Sequence, residues 1–399
     1  MKRYVSHLAI VAIATAVFFN GCSNTSENPI QLATDNQNDV LLDGSTKSGT
    51  PIPNQYIIVL KPESGIQSNI SMVTARVNSI LSDYAIPQQS LGFIYESAIQ
   101  GFSVKIDAQK VGMLIKDPRI KYIEQDKVIT LDPLEVSNSS SKSEPTVLSQ
   151  TTPWGISRVG GAGNGVGKTG WIIDTGIDLD NPDLTVNTAK SKAFISGNNP
   201  DDGNGHGTHV AGIIAAKDNT SYVVGVAAGA TVVAVRVLNS NGSGTTSSVI
   251  AGVNYVSNNA AAGDVANMSL GGGVSTSLDD AVISAAAKGI KFAIAAGNDG
   301  ANANNSSPAR VNGANIYTVT AINSSDVMAS WSNYGNPPCD FAAPGVSILS
   351  LWKNAGTKTI SGTSMATPHV AGILLLGAVS TNGYASGDPD GNPDPIAHR

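Results

Sequence analysis

From residue 154 onward the chain repeats one alternation: short, strongly apolar runs separated by segments with helical spacing. The runs are "GWIID", "VVAVRV", "VANMSL", "KFAIAA" and "NIYTVTAI", and between them lie helical patterns such as 247–259 and 278–288. Runs this short and this completely apolar are buried on both faces, and a parallel sheet covered by helices on both sides buries them so. The spacing therefore predicts an α/β fold with a mostly parallel sheet over 151–380. In such sheets ligands sit beyond the carboxyl ends of the strands. Unusual residues at those ends are the first candidates for chemistry.

The preceding half has a different texture. Lys2-Arg3, an apolar run over 8–19 and Asn20-Gly21-Cys22 make residues 1–22 an export signal, too short to span a bilayer. Cys22 directly after Gly21 resembles the lipobox of bacterial lipoproteins; the alternative is a plain cleaved signal with an incidental cysteine. Residues 23–53 are rich in Asn, Ser, Thr and Asp and read as a polar tether. Within 54–131, strand-like 56–60, helical 71–84, strand-like 101–106, helical 108–117 and strand-like 120–124 suggest a compact α+β module. A linker over 132–150 contains "SNSSSKSEPT", and 381–399 reads as an acidic tail.

Composition narrows the functional classes. The net charge is −6, and no Lys/Arg cluster occurs beyond the extreme N-terminus, which excludes nucleic-acid binding by counterion release. The only cysteines are Cys22 and Cys339, so a lipidated or removed Cys22 leaves no intrachain disulfide, and two cysteines cannot complete a zinc site.

Three histidines follow the linker, apart from His398 at the tail: His206, His209 and His369. Asp174 ends the run "WIID", where an acid is costly without a partner. His206 lies between glycines in "DGNGHGTHVAG", at the start of a helical run, with His209 one turn further in. The loop edge makes His206 the better base, while His209 packs along the helix. Ser364, in "GTSMATPHVAG", reads in the plainest case as a helix cap. In a first helical turn, however, its backbone N–H is free and the helix dipole favours a developing anion. Pro368 denies the Ser364 carbonyl its helical partner, and His369 points to another face. The expected pairing is Ser364 with His206, oriented by Asp174.

"IIDTGID", "GNGHGTHVAG" and "GTSMATPHVAG" resemble the three signature blocks of the subtilisin-like serine proteases, whose chain order is also Asp, His, Ser. "NGSGTTSSVIAGV" and "NMSLGGG" are most similar to the proteinase K branch, and "AAGNDG" to the segment carrying the oxyanion asparagine, here Asn298. The resemblance covers about 154–376, while 54–131 resembles that family's inhibitory, ferredoxin-like prodomain. It implies that Asp174 holds the imidazole, that His206 is base then acid, and that Ser364 attacks. Asn298 and the Ser364 N–H would hold the oxyanion. Gly242, Ser243, Gly244 and Ser269, Leu270, Gly271 would offer backbone edges to an extended peptide, and Ala295, Ala296 and Gly297 would wall the S1 pocket.

The resemblance also implies structural calcium at Asp183 with Asn219, and at Asp340 as in the proteinase K branch; Tyr222 stands where the first kind of site has glycine. In the tail, Asp388, Asp390, Asn392 and Asp394 have calcium-loop spacing but lack the glycine and closing glutamate of an EF-hand, so a solvated acidic tail is the plainer reading.

No glutamate follows Glu144, which removes glutamate-base relatives and His-Glu zinc hydrolases, and the absence of G-x-S-x-G argues against an α/β-hydrolase. The resulting expectation is a secreted or cell-surface monomeric endopeptidase made as a zymogen. Extended polypeptides are its substrates, its own prodomain is its inhibitor, and no cofactor takes part in the chemistry. A catalytically silent binding module and an esterase on the same residues are the rivals.

Overall fold

The computed structural model describes residues 42–62, 69–131, 135–136 (backbone only) and 149–399. The export signal, Cys22, most of the tether and most of the linker lie outside the described residues.

The N-terminal module runs β1 (Pro51–Leu60), α1 (Ile70–Asp83), β2 (Leu91–Tyr95), β3 (Gly101–Lys105), α2 (Ala108–Leu114) and β4 (Ile120–Thr130). Its sheet is antiparallel, in the order β4-β1-β3-β2. Strand β2 was not legible in the sequence, because "LGFIY" lacks a clean alternation, and β4 extends past the expected end at Glu124. Asn69 caps α1 by accepting the Met72 N–H, and Val73, Val77, Ile80 and Leu81 bury one helical stripe. Strand pleating then divides β1 between two cores. Ile58 and Leu60 pack under α1, while Ile57 and Val59 join apolar side chains of the C-terminal part.

The C-terminal part contains β5 (Thr169–Asp174), α3 (His206–Ala215), β6 (Thr231–Arg236), β7 (Ser243–Thr245), α4 (Thr246–Asn259), β8 (Val265–Met268), α5 (Thr276–Ala286) and β9 (Lys291–Ala295). It continues with β10 (Ile316–Ile322), β11 (Cys339–Pro344), β12 (Ile348–Trp352), β13 (Gly356–Ser361), α6 (Thr363–Leu376), β14 (Ser380–Tyr384) and β15 (Pro395–His398). The main sheet has the order β14-β15-β11-β10-β9-β8-β5-β6, parallel except for the terminal hairpin. Both faces are covered. Ile172, Val232 and Ala234 lie in the core shared with α3 and α6, and Trp171, Ile173, Val233 and Val235 in the core shared with α4 and α5.

The strand order reverses at β5: β6 is its neighbour on one side and β8 on the other. Asp174 ends the strand at this switch point, where open α/β sheets hold their ligands. The expectation of a solvated tail holds for Asp390 and Asn392, which are exposed. It is corrected at Asp394, which is 1% exposed and accepts Thr320 Oγ1, and at 395–398, which pair with 380–384 as a hairpin on the sheet edge.

Candidate active site

Asp174 is fully buried and accepts the Thr175 N–H at 2.7 Å. Its two oxygens lie 2.8 and 3.0 Å from His206 Nδ1. A carboxylate only accepts, so it fixes the proton on Nδ1 and leaves Nε2 as the basic nitrogen. His206 opens α3 directly after Gly205, whose φ is +117°. A side chain at Gly205 would also collide with the Trp352 ring. Asp202 supplies the cap that the sequence did not reveal. Its Oδ1 accepts the Gly205 and Asn204 N–H groups and its Oδ2 accepts from Thr208, so the start of α3 cannot fray.

The other two histidines have different environments. His209 Nε2 lies 3.1 and 3.0 Å from the Ile348 and Lys358 carbonyls, and burial pushes its pKa down to about 3. His369 Nδ1 lies 2.9 Å from the Met365 carbonyl, and burial holds it near pH 4. Both are neutral core groups at neutral pH.

Ser364 is the second residue of α6 and is 9% exposed. Its hydroxyl donates to the Ser269 carbonyl at 3.0 Å. Pro368 has no N–H for the Ser364 carbonyl, and the Ser269 hydroxyl donates to that carbonyl instead, at 2.8 Å. Asn267 Nδ2 donates in turn to Ser269 Oγ. Asn298 Oδ1 accepts both the N–H and the hydroxyl of Thr363, at 2.8 and 2.9 Å, which fixes the direction of the amide. A methyl placed on Gly362 would sit 3.6 Å from the Ser364 nitrogen and 3.8 Å from Asn298 Nδ2. Both donors therefore lie close to one point beside Gly362.

Asn333, also missed in the sequence, holds the loop that presents Asn298. It donates to the Ala296 carbonyl and accepts the Asp299 and Ala301 N–H groups. Gly297, at φ +105°, packs so tightly against this amide that a side chain there would collide with it.

Of the expected substrate edges, Ser243, Gly244 and Thr245 pair antiparallel with Thr130, Ile129 and Val128, and the Gly242 carbonyl accepts the Leu131 N–H at 2.9 Å. The N-terminal module thus lays its last strand along the cleft. Further on, the backbone of Glu135–Val136 pairs with Ser361 and Ile360, immediately before α6. The Gly271 carbonyl accepts Ser48 Oγ at 3.1 Å. Ser269, Leu270, Ala295 and Ala296 are buried along the cleft walls.

Two carboxylates of the N-terminal module cap helices of the C-terminal part. Asp126 accepts the Ser247 N–H at the start of α4, and Glu124 accepts the Ser277 N–H and hydroxyl at the start of α5. Both exploit the free donors and positive dipole end of a helix. Burial raises the pKa of Asp126, which also accepts Gln55 Nε2 and the Lys127 N–H.

Among the expected calcium ligands, Asp183 and Asn219 meet: Asn219 Nδ2 donates to Asp183 Oδ1, while the buried Oδ2 has no partner. Burial pushes the Asp183 carboxyl up to about 6. Tyr222 adopts φ +56°, the left-handed conformation that glycine favours. Asp340 accepts the Thr318 N–H through Oδ2, and burial raises it to about 6. Among the described residues, no three His, Cys, Asp or Glu side chains already converge as a metal site.

A carboxylate-backed imidazole at the start of one helix, and a serine with the asparagine amide at the start of a helix packed against it, are the parts of a serine hydrolase, and the strand-accepting edge suits an extended polypeptide. The chain belongs to the subtilase family, whose model matches residues 171–385, and residues 55–132 match the peptidase inhibitor I9 model. It is 42% identical over 337 residues to the subtilisin-like serine protease AsES of Sarocladium strictum, covering 76% of this chain and 81% of that one. It is 38% identical to the extracellular serine proteinase of Thermus sp. (strain Rt41A), covering 87% and 83%. A solved cold-adapted subtilisin-like serine proteinase matches with a TM-score of 0.53 and 40% identity, over 61% of this chain and 97% of that one. The protein is a subtilisin-like serine endopeptidase with an inhibitor-type prodomain.

Proposed function

We propose that the chain is a secreted zymogen whose Asp174, His206 and Ser364 cut peptide bonds and whose N-terminal module blocks the cleft until it is removed. The observation that carries the reading is the Asp174–His206 Nδ1 contact at 2.8 Å, with Ser364 at the start of α6 beside the oriented amide of Asn298. His206 Nε2 takes the Ser364 proton as Oγ attacks the scissile carbonyl. The imidazolium is stabilised by Asp174, and the oxyanion is held by Asn298 Nδ2 and the Ser364 N–H. His206 then gives its proton to the leaving amine, and water repeats the sequence on the acyl-enzyme. Substrate lies extended along Gly242–Gly244 and the facing Ser269–Gly271 edge, with its P1 side chain against Ala295–Gly297. Secretion is supported by the signal-like residues 1–22 and by the extracellular proteinase of Thermus among its relatives. Cys22 would anchor the precursor to a membrane if it carries lipid, and release would follow cleavage near residue 150. The mature enzyme works as a monomer. A fluorophosphonate probe should label Ser364 in the mature enzyme and leave Ser364→Ala unlabelled; equal labelling of both would sink the assignment.

Structural calcium belongs to the same reading. The unpartnered, buried Asp183 Oδ2 fits a cation, with Asn219 able to turn its amide oxygen inward, and Asp340 offers a second carboxylate elsewhere on the sheet. The ion would stabilise the loops and take no part in the chemistry. Excess chelator should lower the thermal midpoint by several degrees while Asp183→Asn abolishes most of that response; an unchanged midpoint removes the ion.

A further inference from the structure

Strand β4 has two edges where it crosses the cleft, and only one is taken by Ser243–Thr245. The other is taken by residues that precede β1 and fall outside the inhibitor match at 55–132. Gly49 donates its N–H to the Val128 carbonyl at 2.8 Å, and the Thr50 carbonyl accepts the Val128 N–H at 2.9 Å. Ser48 Oγ accepts the Thr130 N–H at 3.3 Å and donates to the Gly271 carbonyl at 3.1 Å. One hydroxyl thus relays the inhibitor strand to the second wall of the cleft. Thr130 Oγ1 donates to the Thr46 carbonyl, and Asn239 Nδ2 donates to the Leu42 carbonyl at 2.8 Å. Residues 42–50 therefore start beside Asn239 and Asn241, cross over Thr130, and end against Gly271–Gly273.

Sterics make the far contact specific. A Cβ on Gly49, at φ +87°, would lie 3.2 Å from the Gly273 backbone, and one on Gly272 would lie 3.0 Å from Ser48 Oγ. Near the start, Gly44, at φ +92°, lies so close to Asn241 that a Cβ would sit 3.2 Å from its carbonyl oxygen. The segment is polar and most of it is half-buried, which is unlike a free tether.

We infer that residues 42–50 are a strap that belongs to the inhibitor: they bind the cleft rim at Asn239 and Gly271–Gly273 and hold the β4 strand in place. The inference rests on the reading of 54–131 as an intramolecular inhibitor and deepens it. After processing, the β4 strand cannot leave the cleft until the strap also lifts.

The test follows the full chain as it processes itself, measuring precursor cleavage on gels and the lag until peptidase activity appears. The lag is normalised to processed molecules, so that losses in folding yield do not enter. Deleting residues 42–49 should shorten the lag about tenfold or more, since several hydrogen bonds to the strand and rim are lost. Ser48→Ala, which removes only the relay, should shorten it about threefold, and Gly49→Val should approach the deletion. In the Ser364→Ala precursor the deletion should also speed hydrogen exchange at the Val128 amide. Asp126→Asn in the same assay reports on the inhibitor reading itself. If Asp126→Asn shortens the lag while the strap variants match the wild type, the strap is overturned and the inhibitor stands. If neither changes the lag, both readings fall.

Discussion

The prodomain sheet carries helices on one face and closes its other face with the catalytic domain, whereas the parallel sheet of the catalytic domain is covered by its own helices on both faces. Ile57 and Val59 of β1 belong to the same apolar cluster as Val249 and Val253 of α4. Their chemistry is complementary too. Helices α4 and α5 carry their own caps, Thr245 and Ser275, and Asp126 and Glu124 of the prodomain add carboxylates to the neighbouring Ser247 and Ser277 N–H groups. Glu96 accepts from Asn254 Nδ2, while the Asn254 amide oxygen accepts the Glu96, Ser97 and Ala98 N–H groups. The difference teaches that one module is finished by its partner and the other is finished by itself. An inhibitor built to leave can depend on its target for half its core.

The most severe way to test this division is to keep the two regions joined. Ser364→Ala should lose turnover by about 10⁶, the size known for subtilisin itself. It should also leave a precursor in which prodomain and catalytic domain melt together, as calorimetry on the uncut chain would reveal. Separate transitions would show that the prodomain is stable without its partner.

Within the self-sufficient region, Asn298→Ala should reduce kcat by about 10²–10³, again the loss known for the corresponding asparagine of subtilisin. Thr363→Val is the sharper test. It removes the hydroxyl's bond to Asn298 Oδ1 and its acceptance of the Gly297 N–H and spares the Thr363 N–H bond, so kcat should fall by about tenfold with KM nearly unchanged. A KM effect alone would mean that Thr363 shapes substrate binding and does not aim the amide.

Across the interface, Asp126→Asn should speed inhibitor release by about tenfold, because a charge-assisted cap on α4 becomes a neutral one. Glu124→Gln should have a comparable, somewhat smaller effect, since its Ser277 contacts are less buried. Release is read as the rate at which activity appears after processing. Unchanged rates in both variants would count against the reading of the module as the inhibitor.

A pH dependence is expected within the catalytic domain. His209 and His369 are buried neutral, with pKa values pushed down to about 3 and about 4. The unfolded chain protonates them near pH 6.5. Their contribution is therefore complete above pH 6.5 and is lost progressively as pH falls towards 4. The thermal midpoint of the fluorophosphonate-inactivated mature enzyme should drop across that window, and His369→Gln should flatten the drop. A midpoint that stays level from pH 7 to 4 would contradict the buried neutral state.

Much of the catalytic fold was legible because its signals are local. Each strand of a two-sided sheet is a short apolar run, and each helix has its own spacing, so "GWIID" or "KFAIAA" announces itself. Strand β2 was invisible because its burial depends on β3 and α1, which lie outside its own five residues. The tail misled for the same reason. Asp388, Asp390, Asn392 and Asp394 look equally solvated in the sequence, yet Thr320 of β10, 74 residues away, donates to Asp394 and only that one is buried.

The site divides along the same line. The sequence by itself determined which residue types stand at the strand ends and helix starts: Asp174 closing a buried run, His206 among glycines, Ser364 ahead of Pro368. Those are properties of neighbours in the chain. Only the tertiary structure decided which nitrogen of His206 meets a carboxylate, that Thr363 aims the Asn298 amide 65 residues away, and that Ser48 reaches Gly271 across 223 residues. Hydrogen bonds depend on position and angle to fractions of an ångström, and across such separations the packing of the whole sheet sets both.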